Sequence, residues 1–246
     1  MRFIAGRNPR VIIASFPNFN AAYLGLILAS MLPNGFYQNL DQVDPDDIEF
    51  VCFGIPRSGS TLVYQFMSEL FPQGVAKTHQ YCRHSVKTLA SFRDFRDVVV
   101  SLWRRSNPAN LRRRMREAAI DEFARLCQQR INALDQYFDR GGICPLRYEE
   151  FAKDPKVIFS SIEKTFGVVV DGDKVAELID KYSLERNREI SERLEGFKQV
   201  DSATQVHGNH IYRGEIGSWR EFVDEKMAKR LELLLGPSLA RYGYLS

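Results

Sequence analysis

Eight residues, Gly54-Ile55-Pro56-Arg57-Ser58-Gly59-Ser60-Thr61, constrain the fold of this chain more than any other segment. They read GxxxxG followed by two further residues, and the apolar run Glu49-Phe50-Val51-Cys52-Phe53 leads into them. Such a frame lets a strand run into a glycine-containing turn that opens a helix, here at about Ser60. Unpaired backbone N–H groups and the positive end of the helix dipole then converge on an anion. A nucleoside triphosphatase needs a lysine where this chain has Ser60, to reach the β- and γ-phosphates. The cation here is Arg57, in mid-loop, which points away from ATP hydrolysis. Taken alone, the octet also fits a plain strand–turn–helix punctuated by proline and glycine.

From Glu49 onward, short apolar or β-branched runs alternate with longer amphipathic ones, the pattern of βαβ units on a parallel sheet. Strands are expected at Glu49–Gly54, Gly74–Thr78, Thr88–Phe92 and Gly142–Leu146, and helices at Ser60–Leu70, Phe95–Arg105, Leu111–Arg140, Pro155–Phe166, Asp173–Asn187 and Ser218–Leu235. In the longest of these, Ala119, Phe123, Leu126, Ile131, Leu134 and Phe138 fall near one face. The polar, weakly periodic stretch Arg188–Gly217 reads as a long loop of the kind that serves as a lid or ligand clamp. The first 47 residues read as an N-terminal βα extension, with a buried helix over Ala21–Leu32, and residues 1–246 are expected to form one domain.

Composition excludes several classes. A net charge of +3 is too small to argue for nucleic-acid binding and suits a local cationic pocket instead. Cys52, Cys82, Cys127 and Cys144 lack CxxC spacing, so neither a metal site nor a disulfide framework is indicated. Cys52 and Cys144 lie in strand-like apolar runs and read as core thiols in a reducing compartment, which makes the cytoplasm the expected location. The Ala21–Leu32 run falls short of the ~20 residues that span a bilayer, and Arg7-Asn8-Pro9-Arg10 interrupts any signal peptide. His207 and His210 have a metal-like spacing but no Cys or carboxylate beside them, and read as loop residues, while His84 is expected on a helix surface.

A second constellation, Arg93-Asp94-Phe95-Arg96-Asp97-Val98-Val99-Val100-Ser101, follows the strand ending near Phe92. With Pro56–Thr61, it makes the chain resemble the sulfotransferases that use 3′-phosphoadenylyl sulfate (PAPS). Their P-[KR]-S-G-[ST]-T loop binds the 5′-phosphosulfate and their R-x-x-x-D-x-x-x-S motif the 3′-phosphate; Arg93, Asp97 and Ser101 match the latter. Lys77-Thr78-His79 is similar to the family's K-T-H, Arg147-Tyr148-Glu149-Glu150-Phe151 with Asp154-Pro155 to its Y-E-D…D-P segment, and Tyr212-Arg213-Gly214 with Gly217-Ser218-Trp219-Arg220 to its C-terminal clamp. The departures are Leu62 where many cytosolic members have tryptophan, Arg57 for their lysine, and Tyr212 for the first basic residue of the clamp.

The resemblance implies an α/β, three-layer P-loop NTPase-like fold, a central parallel sheet flanked by helices. It also implies sulfuryl transfer from PAPS to a hydroxyl acceptor with release of 3′,5′-ADP and without a metal. On this reading Arg57, Ser58, Gly59, Ser60, Thr61, Arg93, Ser101, Tyr148, Arg213 and Gly214 bind the nucleotide, while His79, Arg57 and Lys77 carry the chemistry. His79 would take the acceptor's proton, since an unperturbed imidazole titrates near neutrality. Asp97 is expected to orient Arg93 or to cap locally, a structural role in either case. The acceptor, a small molecule, lipid or glycan bearing a hydroxyl, is not legible. Two other readings stay open: a small-molecule kinase, disfavoured by Ser60 and by the want of a Mg²⁺-binding carboxylate after an apolar strand, and a nucleotide-binding module without turnover.

Overall fold

The computed structural model describes residues 32–106, 115, 117–196, 198–208, 211 and 214–245. Five strands, β1 (Gly35–Phe36), β2 (Phe50–Gly54), β3 (Val75–Thr78), β4 (Lys87–Phe92) and β5 (Ile143–Arg147), form one sheet in the order β1-β3-β2-β4-β5. Every pairing is parallel. The central strand, β2, is buried at all five positions, as a parallel strand covered on both faces must be.

Its alternate side chains serve two cores. Val51 and Phe53 pack on one face with residues of α2 (Phe95–Ser106), α3 (Glu117–Arg140) and, near the C-terminus, the helix Glu225–Arg241. Phe50 and Cys52 pack on the other with α1 (Ser60–Leu70) and residues of α5 (Lys156–Phe166), which follows the short α4 (Tyr148–Phe151). The period-two alternation of a strand thus yields the three expected layers. All four cysteines are buried and unbridged.

Topology brings distant residues together. From β2 the chain moves to β3 on one side, then crosses to β4 on the other, so the direction of winding reverses at β2 and β4. Ligands bind at such switch points, beyond the carboxyl ends of the strands. Gly54 lies level with Ser91, and Phe92 level with Arg147. The loop after β2, the Arg93 segment after β4 and Tyr148 after β5 therefore emerge side by side.

Some expectations need correction. The single helix over Asp173–Asn187 is two, α6 (Gly172–Lys181) and α7 (Leu184–Arg193), because Ser183 turns extended and caps the second, its side chain accepting from Arg186 N. The loop expected from Arg188 consequently begins after Arg193, and an antiparallel bridge joins Val200 to His207 within it. Ser218–Leu235 divides into a 3₁₀ turn at Ser218–Glu221 and α8 (Glu225–Arg241); Asp224 caps α8, which runs on through Pro237. His84 sits in the β3–β4 connection, not on a helix. The edge strand β1 was not expected. The helix over Ala21–Leu32, the start of the Leu111–Arg140 helix, and His210, Tyr212 and Arg213 lie outside the described residues, Leu32 and Met115 excepted. Among the described residues no helix is long and apolar enough to cross a membrane.

Candidate functional site

The loop after β2 is shaped by two glycines. A Cβ on Gly54 would lie 2.3 Å from the Ser60 Cβ and 2.5 Å from the Ser91 Oγ, so the loop folds back too tightly for a side chain there. Gly59 holds φ at +78°, and its Cβ would meet the Phe151 ring at 2.7 Å. Arg57 also takes a left-handed φ, 74°, which costs a non-glycine residue about 1 kcal/mol or more. Ser58 pins the turn: its hydroxyl lies 2.9 Å from both the carbonyl and the hydroxyl oxygen of Ser91, and its amide donates to Ile55 O at 3.0 Å. Helix α1 opens at Ser60 with no side-chain cap, so its first N–H groups are left for another acceptor.

That helix start faces a cavity of about 350 Å³. At one end stand Arg57, Arg93 and Arg104 with Ser101 and Tyr148. Arg57 Nε donates to Ser101 Oγ at 2.8 Å. The Arg93 guanidinium lies 4.5 Å from the centre of the Tyr148 ring, and its Nη2 pairs with Asp97 Oδ2 at 3.0 Å. Arg93 Nε is buried without a hydrogen-bond partner, an arrangement that asks for an anion or water. Burial, then Arg105 and Arg93, push the Arg57 guanidinium down to about 10. An anion in this end of the cavity would relieve that repulsion.

Asp97 does more than orient Arg93. Its carboxylate also accepts from Gly217 N at 2.8 Å, Trp219 N at 2.9 Å and Ser218 Oγ at 3.2 Å. Tyr148 Oη donates to Gly214 O at 2.7 Å, and Arg93 Nη2 donates to Glu215 O. The C-terminal motif is thus moored to the α2 and β5 ends from Gly214 onward; its first two residues, Tyr212 and Arg213, fall outside the described residues. The opposite end of the cavity is apolar, walled by Leu62, Phe66, Ile179, Tyr182 and Val206.

Lys77 and His79 lie on the other side of β2, at the end of β3, and neither lines this cavity. Thr61 is the meeting point: it lines the cavity, and its Oγ1 accepts from Lys77 Nζ at 2.7 Å. Burial lowers the Lys77 ammonium to about 8. His79 Nδ1 is 2.5 Å from Gly54 O; a carbonyl only accepts, so Nδ1 carries the proton and Nε2 keeps its lone pair. Burial, then Lys77, depress the imidazole to about 3, with Arg130 and Arg105 adding to the effect and the Gly54 contact opposing it. The near-neutral value expected from the sequence therefore does not hold for the unliganded protein. The Phe36 ring packs 5.3 Å from it, centre to centre.

Of the expected nucleotide residues, Arg57, Gly59, Thr61, Arg93, Ser101, Tyr148 and Gly214 share the cavity wall. Ser58 and Ser60 do not, because the first is turned to Ser91 and the second packs on Gly54. Arg104 was missed; its three-residue spacing from Ser101 on one helix face was the available signal. Among the described residues, Asp41, Cys82 and His84 bring potential metal ligands within 4.8 Å of one another, but off the cavity, and the Asp41 carboxylate already accepts from Arg83 N and Nε.

Comparison with known proteins agrees with this fold. Residues 76–243 match the family model described as the sulfotransferase domain. No curated protein sequence matches the chain significantly. Among solved structures, a mouse sulfotransferase complexed with PAP is similar with a TM-score of 0.62 at 16% identity, over 82% of this chain and 87% of that one. A retinol dehydratase in complex with androsterone and the inactive cofactor PAP gives 0.58, again at 16% identity, over 81% and 82%. At such identity these likenesses speak for the fold.

Proposed function

The chain belongs to the sulfotransferase domain family, and we propose that it transfers the sulfuryl group of PAPS to a hydroxyl acceptor, releasing 3′,5′-ADP. One observation carries this reading: three guanidiniums and the open start of α1 crowd one end of a cavity whose other end is apolar. That shape suits an adenosine with phosphates at both its 3′ and 5′ positions. Arg93 and Ser101 are assigned to the 3′-phosphate, joined by Arg213, and the loop amides with Arg57 to the 5′ side. Arginine suits phosphate because its planar fork donates in parallel. Ser58 and Ser60 contribute backbone and packing, not hydroxyls.

In the reaction a bond forms between the acceptor oxygen and sulfur while the sulfur–phosphate oxygen bond breaks, so negative charge grows on the departing phosphate. Arg57 is assigned to that oxygen, where a preorganised donor can contribute about 3 kcal/mol. The acceptor proton goes to His79 Nε2, the free lone pair of the ring. A base held near 3, by burial first and by Lys77 second, is weak for this. Negative charge from the nucleotide offsets the cationic share of that shift and raises the imidazole, while the share due to burial stays. Lys77, already at Thr61, is positioned to hold sulfuryl oxygens.

The acceptor is a hydroxyl-bearing small molecule, lipid or glycan. Residues 1–246 act as one sulfotransferase domain with 194–217 as its clamp, and the buried free thiols fit a cytoplasmic setting. A thermal-shift comparison of 3′,5′-ADP with Mg²⁺–ATP tests the donor site. Stabilisation by ATP alone would favour the kinase, and binding of 3′,5′-ADP without transfer of labelled sulfate to any acceptor class would favour the module without turnover.

A further inference from the structure

The apolar end of the cavity contains a buried polar pair that the chemistry above leaves unused. Asn187 of α7 lines the cavity, and Gln65 of α1 stands behind it; both are buried. Asn187 Nδ2 donates to Gln65 Oε1 and to Tyr182 O, each at 3.0 Å. Gln65 Nε2 donates to Asn187 Oδ1 at 2.8 Å and to Thr204 O at 3.0 Å. The carbonyls of Tyr182 and Thr204 can only accept, so both NH₂ groups must face them, and neither amide can be flipped.

All the amide hydrogens of the pair are thereby committed. What Asn187 still has to offer a ligand is the second lone pair of Oδ1, an acceptor with no donor beside it. Its place is fixed from three sides, because the same bonds tie α1, α7 and the Thr204 turn together. Leu62, Phe66 and Val206 line the same cavity with apolar surface.

We propose that Asn187 determines base specificity by accepting a hydrogen bond from the 6-amino group of adenine. A purine with a carbonyl at that position would set acceptor against acceptor in a desolvated wall, and no hydrogen of the amide pair is free to turn and satisfy it. A site built around one polar partner rejects the analogue that lacks it far more strongly than an apolar pocket does. The inference rests on the reading that 3′,5′-ADP occupies this cavity with its phosphates at the arginine end.

Calorimetric titration of the full chain with 3′,5′-ADP and with inosine 3′,5′-bisphosphate tests it. The second ligand keeps both phosphates, the ribose and the purine, and replaces the amino group by a carbonyl. The wild-type chain should prefer the adenine ligand by about 10- to 100-fold. Asn187→Ala should bring the two within about threefold, mainly by weakening the adenine ligand. Asn187→Ser, whose hydroxyl can donate or accept, should level them as well and covers the case in which the alanine variant does not fold; thermal unfolding reports on both. Equal wild-type affinity for the two ligands overturns the proposal, as does a preference that survives in either folded variant. Failure of both ligands to bind would instead remove the nucleotide reading on which it stands.

Discussion

Replacing Arg93 by alanine should separate two nucleotides that differ by one phosphate. Two donor positions of Arg93 decide the size of the effect: Nη2 is committed to Asp97 and Glu215 O, while Nε is buried without a partner. A charge-assisted bond from that guanidinium to a phosphate contributes about 1.5–3 kcal/mol. At about 1.4 kcal/mol per tenfold, its loss should weaken 3′,5′-ADP by roughly 10- to 150-fold. 5′-AMP lacks the 3′-phosphate and should change by less than about threefold. The variant also leaves the Asp97 carboxylate, whose side chain is 0% exposed, without its ion pair. Three donors from residues 217–219 still hold it, so a stability loss at or below about 3 kcal/mol is expected rather than unfolding. Calorimetric titration with both ligands, on protein first checked by thermal unfolding, is the measurement. Equal losses for 3′,5′-ADP and 5′-AMP would refute the assignment of Arg93 to the 3′-phosphate.

Other outcomes follow from the same geometry. Arg57→Ala should cut turnover by about a hundredfold or more while thermal stability changes little, since a buried, repelled charge is removed but alanine keeps the left-handed backbone; near-normal turnover would take Arg57 out of the mechanism. Gly59→Ala combines a φ of +78° with a Cβ 2.7 Å from Phe151, and should lower stability by about 2 kcal/mol or more in denaturant unfolding. His79→Ala should bind 3′,5′-ADP normally yet lose most of its transfer rate, and a full rate would defeat the base assignment. Because its folded value lies near 3 and the ordinary value is 6.5, His79 is neutral in both folded and unfolded chains above that upper value. Stability should fall as pH drops through 6.5 toward 3, where only the unfolded chain takes up the proton, and His79→Gln should flatten this acid limb of the melting-temperature profile.

The layers of this fold were legible because a covered parallel strand leaves a near-continuous apolar run bounded by punctuation. Strands β2 to β5 fall within one residue of their expected ends, and α1 matches at both. Where local pattern gave no signal, tertiary structure decided. β1 has two residues, too few for any period, and exists because Gly35 and Phe36 pair with Ala76 and Lys77. The break at Ser183 interrupts a continuous amphipathic stripe, and only the cap bond to Arg186 N marks it. Ser58, Ser60 and Thr61 are hydroxyl residues within four positions of one another, yet only Thr61 lines the cavity. The depressed imidazole of His79 depends on burial and on cations from β3, α2 and α3, which no single stretch of sequence contains. Asn187 had no motif around it, because its partners are the Gln65 amide, far away in sequence on α1, and the Tyr182 carbonyl at the end of α6.

The division of the site across β2 bears on how such an enzyme can diverge. Residues assigned to the donor come from the ends of β2, β4 and β5, whereas Lys77 and His79 belong to β3 with Phe36 of β1 beside them. The two halves meet through two side-chain hydrogen bonds, Lys77 Nζ to the Thr61 hydroxyl and His79 Nδ1 to Gly54 O. If His79 is the acceptor's base, as proposed, substitutions along the β1–β3 edge should alter acceptor preference and leave the nucleotide half intact. Position 61, by contrast, answers to both.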